Sequence, residues 1–169
     1  MNTRPARLED CAKIAEIYNA GIHGRQATFR TWETNAQEIA VWLENPKLPL
    51  IVAELEGQIV GWAHASSYRS SKYYSGIVEY SIYIATNAHD QGVGTTLLEV
   101  FFKACEEVGI WKLVSRIFPE NAASRALCRK TGFREVGVYE KHAQLDGQWR
   151  DVIIVEKLLE SNLGANITG

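Results

Sequence analysis

The chain has 169 residues, of which 46% are hydrophobic and 22% charged, with a formal net charge of -2 at pH 7. That size and balance predict one globular domain with a sizeable core over residues 1–160 and a flexible tail over 161–169. A near-neutral charge offers no bulk attraction to nucleic acid or acidic membranes, and no apolar run is long enough to span a bilayer.

The opening MNTRPARLED lacks the apolar core of a signal peptide, so a cytoplasmic location is expected, and Thr3–Arg7 suits a short strand. A helix from about Glu9 to about Ile22 follows, with Cys11, Ile14, Ala15, Tyr18 and Ile22 on one face. Glu9 and Asp10 sit in its first turn, where the helix dipole favours acids. Periodicity fades over Asn19–Trp32, which reads as a loop. Thr34, with Gln37 three residues on, forms a capping box for a short helix through Ile39, Trp42 and Leu43 that ends before Pro46. Leu50–Leu55 and Gln58–Ser66 read as strands joined by a Glu56-Gly57 hairpin turn. Tyr68–Ser75 is a polar, aromatic loop or a single helical turn.

Tyr80–Ile84 alternates and is rich in β-branched and aromatic residues, which predicts a buried strand. Gly92 and Gly94 then lead into an amphipathic helix through Leu97, Phe101, Ala104, Cys105 and Val108, stopped by Gly109. Lys112–Phe118 is a further strand, and Asn121–Lys130 a short helix capped by Asn121 and ended by Gly132. Phe133–Gln144 and Trp149–Leu158 form a last antiparallel pair around Asp146-Gly147. This order predicts an α/β (α+β) fold: a mixed, mostly antiparallel central sheet with helices on both faces and a parallel, right-handed crossover at its centre.

Chemistry concentrates at the strand-to-helix turn. Glycines there let the backbone approach a ligand, and the helix entry offers N–H groups with no acceptor in the chain. That makes a phosphate site, to which Thr95 adds a hydroxyl; the plain alternative is a tight helix entry. The GxxxxGK[ST] loop is absent, and Leu97 stands where a dinucleotide fingerprint needs its third glycine. Cys11, Cys105 and Cys128 are odd in number and predict free thiols. His23, His64, His89 and His142 are scattered, so no metal is expected.

Two motifs carry a family resemblance. One is the strand followed by His89-Asp90-Gln91-Gly92-Val93-Gly94, similar to Q/R-x-x-G-x-G/A. The other is N-x-x-S-x-x-L-x-x-K-x-G-F, present in full as Asn121, Ser124, Leu127, Lys130, Gly132 and Phe133. Together, in this order, they resemble the GNAT superfamily of acyl-CoA-dependent N-acyltransferases over roughly Thr3–Leu159. IYNAGI (Ile17–Ile22), ATFRT (Ala27–Thr31), Tyr68-Arg69 with Tyr74, EYSIYI (Glu79–Ile84) and Gly147, Trp149, Asp151 resemble the phosphinothricin / L-amino acid N-acetyltransferases within it.

The resemblance implies acetyl-CoA as co-substrate. Its pyrophosphate would lie on Asp90, Gln91, Gly92, Val93, Gly94 and Thr95, and its pantetheine arm along the backbone of Ile82, Tyr83 and Ile84. Asn121 and Lys130 of the second motif count on the cofactor side, Asn121 equally as a helix cap. An α-ammonium group, with a reference pKa of about 7.7–8.0, must lose a proton before it attacks the thioester. Glu79 is the candidate base, directly or through water, against the alternative of a solvated strand-end carboxylate. Arg69 is the candidate for the substrate's acid groups, with Phe29, Tyr74 and Trp149 either walling the pocket or packing in the core.

Three positions depart from the family pattern. His89 replaces Gln or Arg, Cys128 stands where many members carry Tyr or His, and Ser71 replaces a second arginine after Arg69. The implied activity is acetylation of the α-amine of a small amino acid analogue such as phosphinothricin, methionine sulfoximine or methionine sulfone. A protein N-terminal acetyltransferase and a non-catalytic acyl-CoA-binding sensor remain open, and the resemblance implies a homodimer.

Overall fold

Seven strands make one sheet in the order β1-β2-β3-β4-β5-β7-β6, in a computed structural model that describes residues 1–164. They are β1 (Asn2–Pro5), β2 (Leu50–Leu55), β3 (Gln58–Ser67), β4 (Ile77–Ile84), β5 (Lys112–Ile117), β6 (Arg134–Leu145) and β7 (Gln148–Leu158). The helices are α1 (Cys11–His23), α2 (Ala36–Trp42), α3 (Val93–Glu107) and α4 (Ala122–Lys130). Every neighbouring pair of strands is antiparallel except β4 with β5, the two joined through α3.

Alternation along the strands decides which helices cover which face. Ile51 and Ala53 of β2 pack with Leu97, Leu98, Phe101 and Cys105 of α3. Their neighbours Leu50 and Val52 pack, with Trp62, against Ile14 and Ile17 of α1 and Ile39 of α2. Helices therefore cover both faces, as expected. Glu56-Gly57 and Asp146-Gly147 turn with positive φ at both residues (50° and 77°, 49° and 76°), which fits the right-handed twist of the strands they join.

Four details differ from the sequence reading. Residues Leu8–Asp10 form a 3-10 turn before α1, and α1 continues through Asn19–Ile22 to His23. Asn35, not Thr34, caps α2 by accepting from Glu38 N–H at 2.9 Å. Thr34 is held instead by Asn19, which takes its N–H at 2.8 Å and donates to its carbonyl at 3.0 Å. The tail holds as far as a 3-10 turn at Glu160–Asn162, where the Asn162 amide donates to the Glu106 and Ile110 carbonyls. Residues 165–169 of the expected tail lie outside the described residues. Finally, β4 is buried only at Val78 and Tyr80; Ser81 is exposed and Ile82–Ile84 are half-buried.

That last difference has a topological cause. β4 and β5 pair only at Ile77↔Lys112, Val78↔Leu113 and Glu79↔Val114. Pairing of β4 with β3 continues to Ile84, and of β5 with β7 to Ile117↔Ile153. The two parallel strands part after Glu79 and leave the second half of β4 with a free edge. Among the described residues no helix is long and apolar enough to cross a membrane.

Candidate active site

The gap between β4 and β5 is a cleft of about 530 Å³, counting its open mouth. Tyr80–Tyr83 and Ser115–Phe118 form its two sides, and Asn121, Ser124, Leu127 and Cys128 of α4 its end. A strand that leaves its neighbour must find other partners for its backbone. The Tyr80 carbonyl accepts from Ser115 Oγ at 3.0 Å, and the Ile84 carbonyl from His89 Nε2 at 3.0 Å. Backbone groups of successive strand residues point to opposite edges, so Ile82, between these two, points into the gap as well.

By the same alternation Tyr83 turns its backbone towards its β3 partner Trp62 and does not offer it to the cleft. Tyr83 contributes its ring instead, 4.9 Å from the rings of both Tyr18 and Trp62, and burial pushes its phenol pKa up. Gly21 makes this packing possible, since a Cβ there would lie 2.4 Å from the Tyr83 ring.

The helix entry is open beside the cleft. Asp90 (φ 59°) and Gly92 (φ 76°) curl the loop, and the Gln91 amide is used within it, donating to the Asn87 carbonyl at 2.9 Å. The α3 ladder begins with Thr96 N–H to the Gly92 carbonyl at 3.2 Å, so the N–H groups of Val93, Gly94 and Thr95 precede it. A Cβ on Gly92 would meet nothing within 4 Å, whereas one on Gly94 would sit 3.0 Å from Leu127, which lines the cleft. Glycine thus brings the helix mouth directly against the cleft wall.

Glu79 lies at the fork and accepts a hydrogen bond from Arg116 Nη2 through Oε1; their side chains are 30% and 44% exposed. At the buried end, Tyr80 Oη and Cys128 Sγ are 3.0 Å apart, and burial raises the pKa of both, so both stay protonated at neutral pH. Asn121 caps α4 by accepting from Ser124 N–H at 3.1 Å and donates from Nδ2 to the Gln26 carbonyl at 3.1 Å. The loop between α1 and α2 therefore crosses the mouth of the fork. Arg25 Nε reaches Asp146 at 2.9 Å, and the Phe29 ring meets Phe118 edge-on at 4.9 Å.

A free strand edge, an open helix entry and a carboxylate at the fork suit a long amide-bearing ligand with an anionic end. The model of the Acetyltransferase (GNAT) domain matches residues 4–154. The chain belongs to the GNAT acetyltransferase family.

As a GNAT acetyltransferase the chain is 31% identical over 163 residues to a phosphinothricin N-acetyltransferase from Alcaligenes faecalis, a match covering 94% of this chain and 82% of that one. It also resembles the crystal structure of a ribosomal-protein-alanine N-acetyltransferase from Brucella melitensis, with TM-score 0.89, 33% identity, and coverage of 94% and 100% of the two chains. A phosphinothricin acetyltransferase from Sinorhizobium meliloti, solved in complex with AcCoA, superposes with TM-score 0.86 at 28% identity, over 93% of this chain and 87% of that one. The residues at the cleft fit acetyl-CoA, the acyl donor of the GNAT family.

Several expected site residues lie away from the GNAT cleft. Lys130 is exposed at the far end of α4, about 12 Å along the helix from its entry. Arg69 stacks within its own loop, its guanidinium 5.2 Å from the Tyr68 ring and 6.0 Å from that of Tyr74. That loop precedes β4, the cleft opens beyond Glu79 along the second half of β4, and neither Arg69 nor Tyr74 is among the residues that line it. Trp149 is 57% exposed on β7 and does not line it either. The sequence reading missed Ser115, Phe118 and Arg116. The available signal was a lone arginine among the apolar residues of Lys112–Phe118. Among the described residues no group of three or more His, Cys, Asp or Glu could hold a metal ion.

Proposed function

We propose that this GNAT enzyme acetylates the α-amine of a small amino acid analogue of the phosphinothricin, methionine sulfoximine or methionine sulfone type, acting in the cytoplasm. The observation that carries this is the fork itself, where a free strand edge begins beside a half-buried carboxylate. Ile82 and the N–H groups of Val93, Gly94 and Thr95 hold the acyl donor, and Glu79 takes the proton of the incoming ammonium, directly or through a water. The amine nitrogen bonds to the acetyl carbon, the carbon–sulfur bond breaks, and coenzyme A leaves as its thiol. The net change is R-NH3⁺ plus acetyl-CoA to R-NH-acetyl, coenzyme A thiol and one proton. Phe118 supplies an apolar wall of the cleft, backed by the Phe29 ring from the loop between α1 and α2.

A second reading, a protein N-terminal acetyltransferase, is favoured by the likeness to the Brucella melitensis enzyme. Steady-state thiol release with the three amino acid analogues, run beside a peptide with an N-terminal alanine, separates the two. Turnover of at least one analogue above the peptide is expected; no thiol release from any analogue at millimolar amine overturns the proposal. Tight coenzyme A binding without turnover of any amine would point to a sensor.

We also propose that the enzyme pairs with a second copy. β6 is an edge strand exposed on both faces over Arg134–His142, and it carries Val136, Val138 and Tyr139 at 46%, 54% and 54% exposure. Apolar side chains exposed along a free sheet edge invite pairing with another chain.

A further inference from the structure

We propose that the Glu79–Arg116 ion pair is the recognition element for the substrate's own zwitterion. The α-carboxylate takes Arg116, the α-ammonium takes Glu79, and each protein group exchanges its internal partner for one on the substrate. This rests on the amino acid reading above and assigns the residue that selects that class.

The placement of the pair favours exchange. Parallel pairing stops at Glu79↔Val114, and Arg116 is two residues further along β5, so it shares a face with Val114. The pair therefore bridges the point where the strands separate, and Arg116 lines the cleft. An α-amino acid carries its two charges on groups separated by one carbon. Such a molecule can reach two protein groups that themselves touch.

The pair is also incomplete as an ion pair. Arg116 makes a single side-chain hydrogen bond among the described residues, from Nη2 to Glu79 Oε1, and Glu79 Oε2 has no partner there. Two half-buried pairs of this protein are closed by contrast. Arg4 gives two bonds to Asp10 at 2.7 and 3.0 Å and two more to Glu54, and Arg125 holds both oxygens of Glu135 at 2.9 and 3.2 Å. A guanidinium presents five donors in a planar fork that matches a carboxylate, and four of them are open on Arg116. A partly exposed pair of this kind holds weakly, so opening it opposes binding little.

Of the other arginines, Arg150 sits 4.5 Å over the Phe118 ring and pairs with Glu120 at 3.2 Å, and Arg69, stacked in its tyrosine loop before β4, does not line the cleft. Glu156, the carboxylate on the same face of β7, already holds Lys112 at 2.5 Å and Arg134 at 2.5 Å, so nothing in the strand demands an arginine at 116. When the substrate occupies Arg116, the Glu79 carboxylate faces the ammonium it must deprotonate.

The test is kcat/KM for methionine sulfone and for its decarboxylated counterpart, 3-(methylsulfonyl)propan-1-amine, in the wild type, Arg116→Ala and Arg116→Lys. The wild type is expected to prefer the amino acid. Arg116→Ala should lose about ten- to a hundred-fold more on the amino acid than on the amine, mainly through KM, with the KM for acetyl-CoA unchanged. Arg116→Lys should recover part of that difference, which also shows that the fold survives substitution at this exposed position. Equal losses on both amines would make Arg116 a support for Glu79 alone, and no loss would send the carboxylate elsewhere; either overturns the inference. A wild type that acetylates neither amine nor any other amino acid analogue overturns the substrate reading as well.

Discussion

Glu79 and His64 show how neighbours decide what a titratable side chain does. In Glu79→Gln the amide oxygen can still accept from Arg116, so the fork should keep its shape while the proposed base is lost. Turnover at pH 7 with saturating acetyl-CoA should fall about a hundred-fold or more. The deficit should shrink as pH rises past about 8, where the amine sheds its proton unaided. Near wild-type turnover at pH 7 would remove Glu79 as the base. His64 is 8% exposed, stacked 4.3 Å from the Trp42 ring, and burial lowers its pKa to about 4 from the 6.5 of an open histidine. Between those values the unfolded chain binds the proton that the folded chain refuses. Stability is therefore full above about pH 6.5 and declines as pH falls towards 4. At pH 5 the loss from this group is about 2 kcal/mol. Urea unfolding of His64→Phe, which keeps the stack, should show a correspondingly smaller drop from pH 7 to pH 5; identical drops would refute it. Glu79 was legible because it opens an alternating strand. Arg116 was not, because a charged residue in a strand reads as solvated until the register brings it beside Glu79.

At the scale of elements, glycine at position 92 separates folding from ligand binding. Gly92 has φ of 76°, and a Cβ on it would point into open space. Gly92→Ala should cost the free protein only the left-handed backbone penalty, about 1 kcal/mol. If a diphosphate lies against that backbone, calorimetry should show coenzyme A binding weakened about ten-fold or more, with pantetheine, which lacks the diphosphate, little affected. Equal weakening of both ligands would place the diphosphate elsewhere. The entries of α3 at its glycines and of α4 at Asn121, both two-residue hairpin turns and the glycine stops at Gly109 and Gly132 (φ 86° and 85°) could be read from local chemistry. The cap of α2 could not. Thr34 and Asn35 are both good caps, and the choice falls to Asn19, fifteen residues earlier, which binds both backbone groups of Thr34. The partner of the Ile84 carbonyl was equally hidden, because His89 reaches back across a turn that sequence spacing does not describe.

For the whole molecule, sheet order and the point where β4 leaves β5 depend on contacts between distant segments, and the alternation of a single strand carries neither. The same is true of assembly. If β6 joins two copies, the wild type should sediment as a dimer at micromolar concentration and Val138→Lys as a monomer with its far-UV spectrum intact; a monomeric wild type would end that proposal. The three-residue contact between the parallel strands has a mechanical consequence. Backbone pairing joins β1–β4 to β5–β7 like the spine of a book, and beyond the shared core under α3 the ties across it are side-chain stitches: Arg116 to Glu79, Ser115 to the Tyr80 carbonyl, Tyr80 to Cys128, and the loop at Arg25–Phe29. A cofactor threaded along Ile82 would act as a splint between the two boards. Deuterium uptake at Ile82 and its neighbours should then slow sharply when coenzyme A is added, while Val52, deep in one board, keeps its pace.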